Sequence, residues 1–291
     1  MLKDTIETQK IIGLLLCCAS LASSNANMAD LMPWLPKKLQ VVAAETIRDL
    51  SEVVYSDPEQ NPLNVVGNYS ISYSDKGLDL TKIGFEKRLV IELIPIIFPM
   101  IKDAIKSSCS NFKDDELDAN FHSALITPSI ITPYQMRWCL KHIQHPYIGP
   151  LCTLVIPCAL TTLDHWSPEV KGQGMIALVH LAKNLNSVEL FWYKDVILDA
   201  TCWNISSSEQ LWQSVVEMSV TLVTCIEGRN PRGHWYGEIF NEMLGEMERH
   251  TRDKERHIVW LQHIDPLING MGLVIVAYFR CLFPFSFIGC M

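Results

Sequence analysis

Residues 160–184, LTTLDHWSPEVKGQGMIALVHLAKN, constrain this chain more than any other stretch. An apolar run ends, Asp164 and Ser167-Pro168 form a short turn, and a second apolar run begins at once. Val170, Gly174, Ala177, Leu178 and Leu181 fall at i, i+4, i+7, i+8 and i+11, which is one face of an α-helix. Pro168 suits the first helical turn, where no N–H donor is needed, and Ser167 is a natural N-cap. A two-helix hairpin of this kind cannot bury its apolar face alone and calls for stacked neighbours.

Similar punctuation recurs along the chain. The pattern after Pro36 predicts a helix with Leu39, Ala43, Ile47, Leu50 and Val54 on one side. A polar connection over 56–77 follows. Residues 85–105 are apolar but contain Pro95 and Pro99, so a kink or two shorter helices is expected. From Pro133 helices are expected over 134–143, closed by His145-Pro146, and over 147–161, 168–185, 188–203 and 208–226. A charged helix over 235–257 completes the series. The helix starts near 147 and 188 lie about forty residues apart, the period of HEAT and armadillo repeats. The expected fold is all-α, an α-solenoid of HEAT/armadillo-like helical hairpins in a right-handed superhelix. Its expected divisions are a helical region 1–106, a linker or loop 107–132, an array 133–270 and an apolar tail 271–291.

Composition bears on function. Of 291 residues 48% are hydrophobic and only 19% charged, so a large core is available and much apolar surface must be hidden. The net charge of −8 argues against gripping phosphate backbones, so no direct nucleic-acid contact is expected. The ten cysteines show no CxxC and no zinc-ligand spacing, and read as reduced, buried small hydrophobes. Residues 11–22 resemble the apolar part of a signal peptide. Asp4 and Glu7 spoil the required positive start, and a packed helix is the better reading. The tail is read as a repeat helix without its partner; a membrane anchor there is the rival.

No constellation of catalytic type emerges. His142 and His145 form an HxxH, but His145 precedes Pro146 in a turn and no acidic ligand follows at helical spacing. Asp164-His165 lacks a nucleophile in a strained turn, so Asp164 is assigned a structural role as acceptor for backbone N–H groups. Gly172-Gln173-Gly174 lies inside a helix and reads as a close-approach site, not a phosphate loop. The run 246–256, EMERHTRDKER, reads as a solvated face, with Glu248 and Arg252 able to pair at i, i+4. Neither metal nor cofactor is expected. Trp166, Trp192 and Trp235 stand where partial exposure is expected; with Lys171 they are the candidate partner-binding residues.

Residues 137–199 resemble the Tel-two-interacting protein two family. The likeness lies in the helix ending at His145-Pro146, the Leu163-Asp164 turn and the Lys171-x-x-Gly174 helix start. An aromatic helix ending near Asp199-Ala200 completes it. The resemblance implies a non-enzymatic α-solenoid, a subunit of the TTT co-chaperone complex. Its partners would be the other two solenoid subunits, the Hsp-ninety machinery and client phosphatidylinositol 3-kinase-related kinases, in cytoplasm and nucleus. The chain is short for that family and ends in CLFPFSFIGCM, which departs from a repeat and implies a truncated or alternatively spliced form. The alternatives are another HEAT/armadillo adaptor, in nuclear transport, a phosphatase or a coat, and a membrane-tethered helical protein.

Overall fold

A computed structural model describes residues 2–23, 36–56, 63, 77–110, 131–206, 209–228 and 230–279. Most of the polar connection 56–77, most of the linker 107–132 and the end of the tail lie outside the described residues. Among those described the architecture is all-α, with no strand. Two compact units divide the chain, Met1–Gln173 and Gly174–Met291. The array expected over 133–270 is thus split, and its first part shares a unit with the N-terminal helices.

In the first unit, α1 (Leu2–Ala22) buries Thr8, Ile12, Leu15 and Ala19, a stripe at i, i+4, i+7 and i+11. The stretch with signal-peptide character is therefore a helix packed against α2 (Lys37–Ser56). On α2, Ala43, Ile47 and Val54 are buried as the periodicity requires, while Leu39 is exposed. Where a kink or two shorter helices were expected, a single helix, α3 (Phe85–Ser110), runs through both Pro95 and Pro99. Each proline removes one intrahelical bond, but Leu93, Ile94, Ile97, Phe98 and Ile101 around them are fully or almost fully buried. Tertiary packing holds the helix where local propensity would break it. Tyr55 clasps α2 to α3: its hydroxyl donates to Glu92 Oε2 at 2.7 Å, and Arg88 Nε donates to Glu92 Oε1 at 2.7 Å.

Next comes α4 (131–141), followed by a turn in which His145 and Pro146 are exposed and joined by a cis peptide bond. The helix expected from residue 147 starts late, as a 3-10 turn Gly149–Leu151 leading into α5 (Cys152–Leu163). Gly149-Pro150 explains the delay, since a glycine and a proline favour a tight turn over helix initiation. α5 packs on α3. The hairpin partner α6 (Pro168–Asn184) has the expected bounds to within a residue, with Val170, Ala177, Leu178 and Leu181 buried.

Two expected helices of the second unit are each two. Residues 188–203 form α7 (Ser187–Phe191) and α8 (Lys194–Ile205), separated at Trp192-Tyr193. Residues 235–257 form α10 (His234–Arg249) and the start of α11 (Lys254–His263). Between the pairs lies α9 (Trp212–Glu227), and α12 (Asp265–Met271) follows. α9 packs against α7, α8, α10, α11 and α12. It is covered on nearly all sides, from Trp212 and Val216 to Met218, Val220 and Val223, a wider burial than its apolar stripe implies. Among the described residues no single helix is long and apolar enough to cross a membrane. Lys254–His263 with Asp265–Tyr278 reaches that length and composition only as a pair bent by 53°.

Candidate partner-docking surface

The surface is built by α7 and α8. Asn186 starts α7 through a capping box: its side chain accepts from Glu189 N at 2.8 Å, and Glu189 Oε2 accepts from Asn186 N at 3.1 Å. This short helix presents Val188, 68% exposed, and Phe191, 57% exposed, while burying Leu190. Lys194 Nζ lies 4.6 Å from the Phe191 ring centroid. Trp192, at the junction, is 82% exposed. These residues form one wall of a groove of about 690 Å³, whose other side is Cys225, Ile226 and Gly228 at the end of α9.

α8 then carries apolar groups on two opposite sides. Ile197, Leu198, Thr201, Asn204 and Ile205 face the core. At about 100° per residue, Val196 and Trp203 point nearly the other way, and both are exposed, Trp203 at 75%. Trp203 was not among the sequence candidates, because a tryptophan one residue before a buried Asn reads as core until the helix register is known. The carboxylates Asp195 and Asp199 lie beside this stripe, toward α10. Trp235, half-buried at the start of α10, donates its indole N–H to Asp195 Oδ1 at 3.0 Å and joins the two helices. Burial, and after it the carboxylates of Glu242, Glu238 and Asp199, push the Cys202 thiol up to about 12. Asn204 is buried and its side-chain amide donates to Ala200 O at 2.8 Å.

Trp166 and Lys171 belong to the other unit. Trp166 is half-exposed in the α5–α6 turn, and Lys171 is held below its ordinary value by burial, against the pull of Asp164. Among the described residues, side-chain hydrogen bonds that order this turn are made by His165. Fully buried, His165 accepts at Nδ1 from Ser167 N at 3.0 Å, and its Nε2 lies 3.1 Å from Ser108 Oγ on α3. The Ser108 hydroxyl in turn donates to Ile105 O at 2.6 Å. Since Nδ1 is an acceptor, Nε2 carries the proton and Ser108 accepts it, a consistent chain for one neutral tautomer. Burial, and secondarily Lys171, hold the imidazole below its ordinary pKa, in line with that state. Asp164 is exposed at its edge, and partial desolvation, which outweighs the pull of Lys171, holds its carboxyl above the usual range.

The charged run 246–256 is also corrected. Glu246 and Arg256 are both buried and pair through Arg256 Nη1 and Glu246 Oε2 at 2.8 Å. Arg249 Nε holds the other carboxylate oxygen at 3.0 Å. Arg256 also lies 4.7 Å from the Trp212 ring centroid, and the indole N–H donates to Arg256 O at 3.0 Å. Ten residues of unbroken helix would put Glu246 and Arg256 about 15 Å apart; the chain turns at 250–253 and brings them together. Asp253 caps α11 by accepting from Arg256 N at 3.0 Å. His257, directly after the run, is likewise buried. Elsewhere His142 of the HxxH bridges α4 to Glu86 of α3 at 3.2 Å, while His145 stays in the turn. Among the described residues no three His, Cys, Asp or Glu side chains gather in a metal-binding group.

An Arabidopsis thaliana protein described as uncharacterized is 43% identical to this chain over 281 residues. The match takes in 96% of this chain and 61% of that protein, so the chain spans less than two thirds of the relative's length. No protein-family model matches the chain, and no solved structure matches it.

Proposed function

We propose that this chain is a non-enzymatic helical scaffold that works by holding protein partners. The observation that carries the reading is a set of exposed apolar side chains on consecutive helices, Val188, Phe191 and Trp192 along one groove and Val196 and Trp203 on the outer side of α8. Contiguous exposed apolar groups are costly in water and mark surfaces that another molecule covers. Tryptophan is enriched among the few residues whose truncation costs most at protein interfaces. The finer reading is that the helical hairpins stack as a HEAT/armadillo-like solenoid with right-handed superhelical twist. On this reading the chain is the smaller solenoid subunit of the TTT co-chaperone complex. It would bind the two other solenoid subunits and, with the Hsp-ninety machinery, shift newly made phosphatidylinositol 3-kinase-related kinases away from unfolding by mass action. The likeness over 137–199 supports this placement, and the cytoplasm and nucleus are its expected compartments.

Affinity purification of the tagged chain from its native cells, with mass spectrometry of what co-purifies, tests the proposal. Recovery of two large solenoid proteins and a giant kinase is the expected result. Recovery of transport receptors, phosphatase subunits or coat proteins instead would replace the TTT placement with the other adaptor reading. A chain that recovers no protein partner would sink the scaffold reading itself.

A further inference from the structure

We infer that the α8–α10 face, Trp192, Val196 and Trp203 bordered by Asp199, Glu238 and Glu242, docks a basic amphipathic helix of a protein partner. The inference rests on the scaffold reading above and names what the scaffold holds at this face.

The apolar half of the argument is geometric. α8 already buries one side, so Val196 and Trp203 form a second, unpartnered stripe. They are seven residues apart, two turns or about 10 Å along the axis, and Trp192 stands at the junction that precedes α8. A partner helix laid along α8 meets that spacing with apolar residues at i, i+3 or i+4, and i+7. An extended peptide is a poor match, because α8 has its backbone groups bonded within the helix and offers no edge for strand addition. An incoming segment must therefore satisfy its own backbone, as a helix does.

The polar half is charge complementarity. Asp199, Glu238 and Glu242 are exposed beside the stripe, and their influence meets at Cys202 between them. With Asp195 these carboxylates outnumber the cationic groups beside them, Lys194 over the Phe191 ring and His234, 3.7 Å from Glu238. The border is thus net negative, within a chain of net charge −8. A Lys- or Arg-flanked helix gains from that field, in on-rate above all. Nucleic acid and anionic lipid are repelled by it, although exposed tryptophan alone would suit a membrane surface.

The test uses the full chain and fluorescence polarisation of a labelled helical peptide of about five turns, leucine along one stripe and lysine elsewhere. A matched peptide carries glutamate in place of lysine. Two site variants, Trp192→Ala/Trp203→Ala and Asp199→Lys/Glu242→Lys, are compared with a reversal in the other unit, Glu45→Lys/Asp49→Lys on exposed positions of α2. All substitutions are at exposed positions, and circular dichroism checks that helix content is kept. The lysine peptide is expected to bind the wild type and the α2 variant alike, to weaken about tenfold or more on both site variants, and to weaken with added salt. Equal binding to the site variants and wild type, or equal binding of the glutamate peptide, overturns the inference. So does Trp192- and Trp203-dependent binding to vesicles of phosphatidylcholine with one-third phosphatidylserine in place of the peptide. The two proposals fail separately. Native partners recovered equally by wild type and Asp199→Lys/Glu242→Lys remove this face and leave the scaffold. Peptide binding at this face by a chain with no native partner removes the scaffold reading alone.

Discussion

The turn between α5 and α6 and the corner between α10 and α11 are built on opposite principles. At the first, a neutral His165 bridges Ser167 N and Ser108 Oγ in a fully buried site. At the second, an ion pair of Glu246 and Arg256 sits almost as deep, with Arg249 on the same carboxylate. The neutral network loses little on burial because each polar atom keeps a partner. The ionic one gives up the hydration of two charges and recovers it only while both are present. One corner should tolerate the loss of a group, and the other should not.

The largest expected effect follows from that contrast. Glu246→Ala leaves Arg256 buried over the Trp212 ring without its carboxylate, and should cost about 3–5 kcal/mol in chemical denaturation. Replacing both partners, Glu246→Leu with Arg256→Met, should recover most of that loss, since a packed apolar pair carries no uncompensated charge. A double variant as unstable as the single one would mean that the pair's attraction outweighs its desolvation. The two corners would then differ less than argued.

At the neutral corner, His165→Ala removes two hydrogen bonds and opens a small void, with an expected cost of about 2 kcal/mol. Its second signature is in pH. The folded state disfavours the imidazolium, whereas the unfolded chain takes up a proton near pH 6.5. The unfolded state therefore binds more protons below that pH, and acidification lowers stability from about pH 6.5 down to the depressed native value. One proton makes the slope at most about 1.4 kcal/mol per pH unit. Asp164, raised by burial, acts with the opposite sign, and in the carboxylate range at lower pH. The stability difference between wild type and His165→Gln, followed from pH 7.5 to 5.5, should shrink on acidification. A difference that stays flat would show that His165 is not held neutral.

How legible each corner was in the sequence follows from the same physics. Ser167-Pro168 and the apolar period of 168–185 are local signals, and α6 has the bounds they imply. The corner at 250–253 has one local marker, Asp253 as N-cap, inside a run whose mixed charges also suit a continuous solvated helix. What closes the corner is a pair of charges ten residues apart, and such a contact exists only after the chain has turned. The break at Trp192-Tyr193 is similar: Asn186 and Glu189 announce where α7 starts, but no Gly or Pro announces where it stops. The exposure of Trp166 and Trp192 was legible because turns and junctions surface. That of Trp203 was not, because exposure in mid-helix depends on which side the rest of the protein takes.

Ser108→Ala tests the neutral corner more gently. The His165 Nε2–H loses its acceptor, and the Ile105 carbonyl loses a donor that helix geometry already partly replaces. About 1 kcal/mol is expected, and a far larger loss would mean that the α3 contact, more than the turn itself, orders the corner.

The smallest expected effect concerns tryptophan and draws the line between a packed and an offered surface. Trp212 is buried under Arg256, so Trp212→Ala should cost about 3–5 kcal/mol through lost packing and the void left behind. Trp203→Ala, on the opposite side of its helix from the core, should change stability by no more than about 0.5 kcal/mol. Trp192→Ala should behave the same way. Two aromatic groups that contribute so little to folding, yet stay exposed to water at the α7–α8 junction and near the end of α8, are explained by what they meet in a complex. A loss above about 1 kcal/mol for Trp203→Ala would place that ring inside the fold and take away the face on which the docking argument stands.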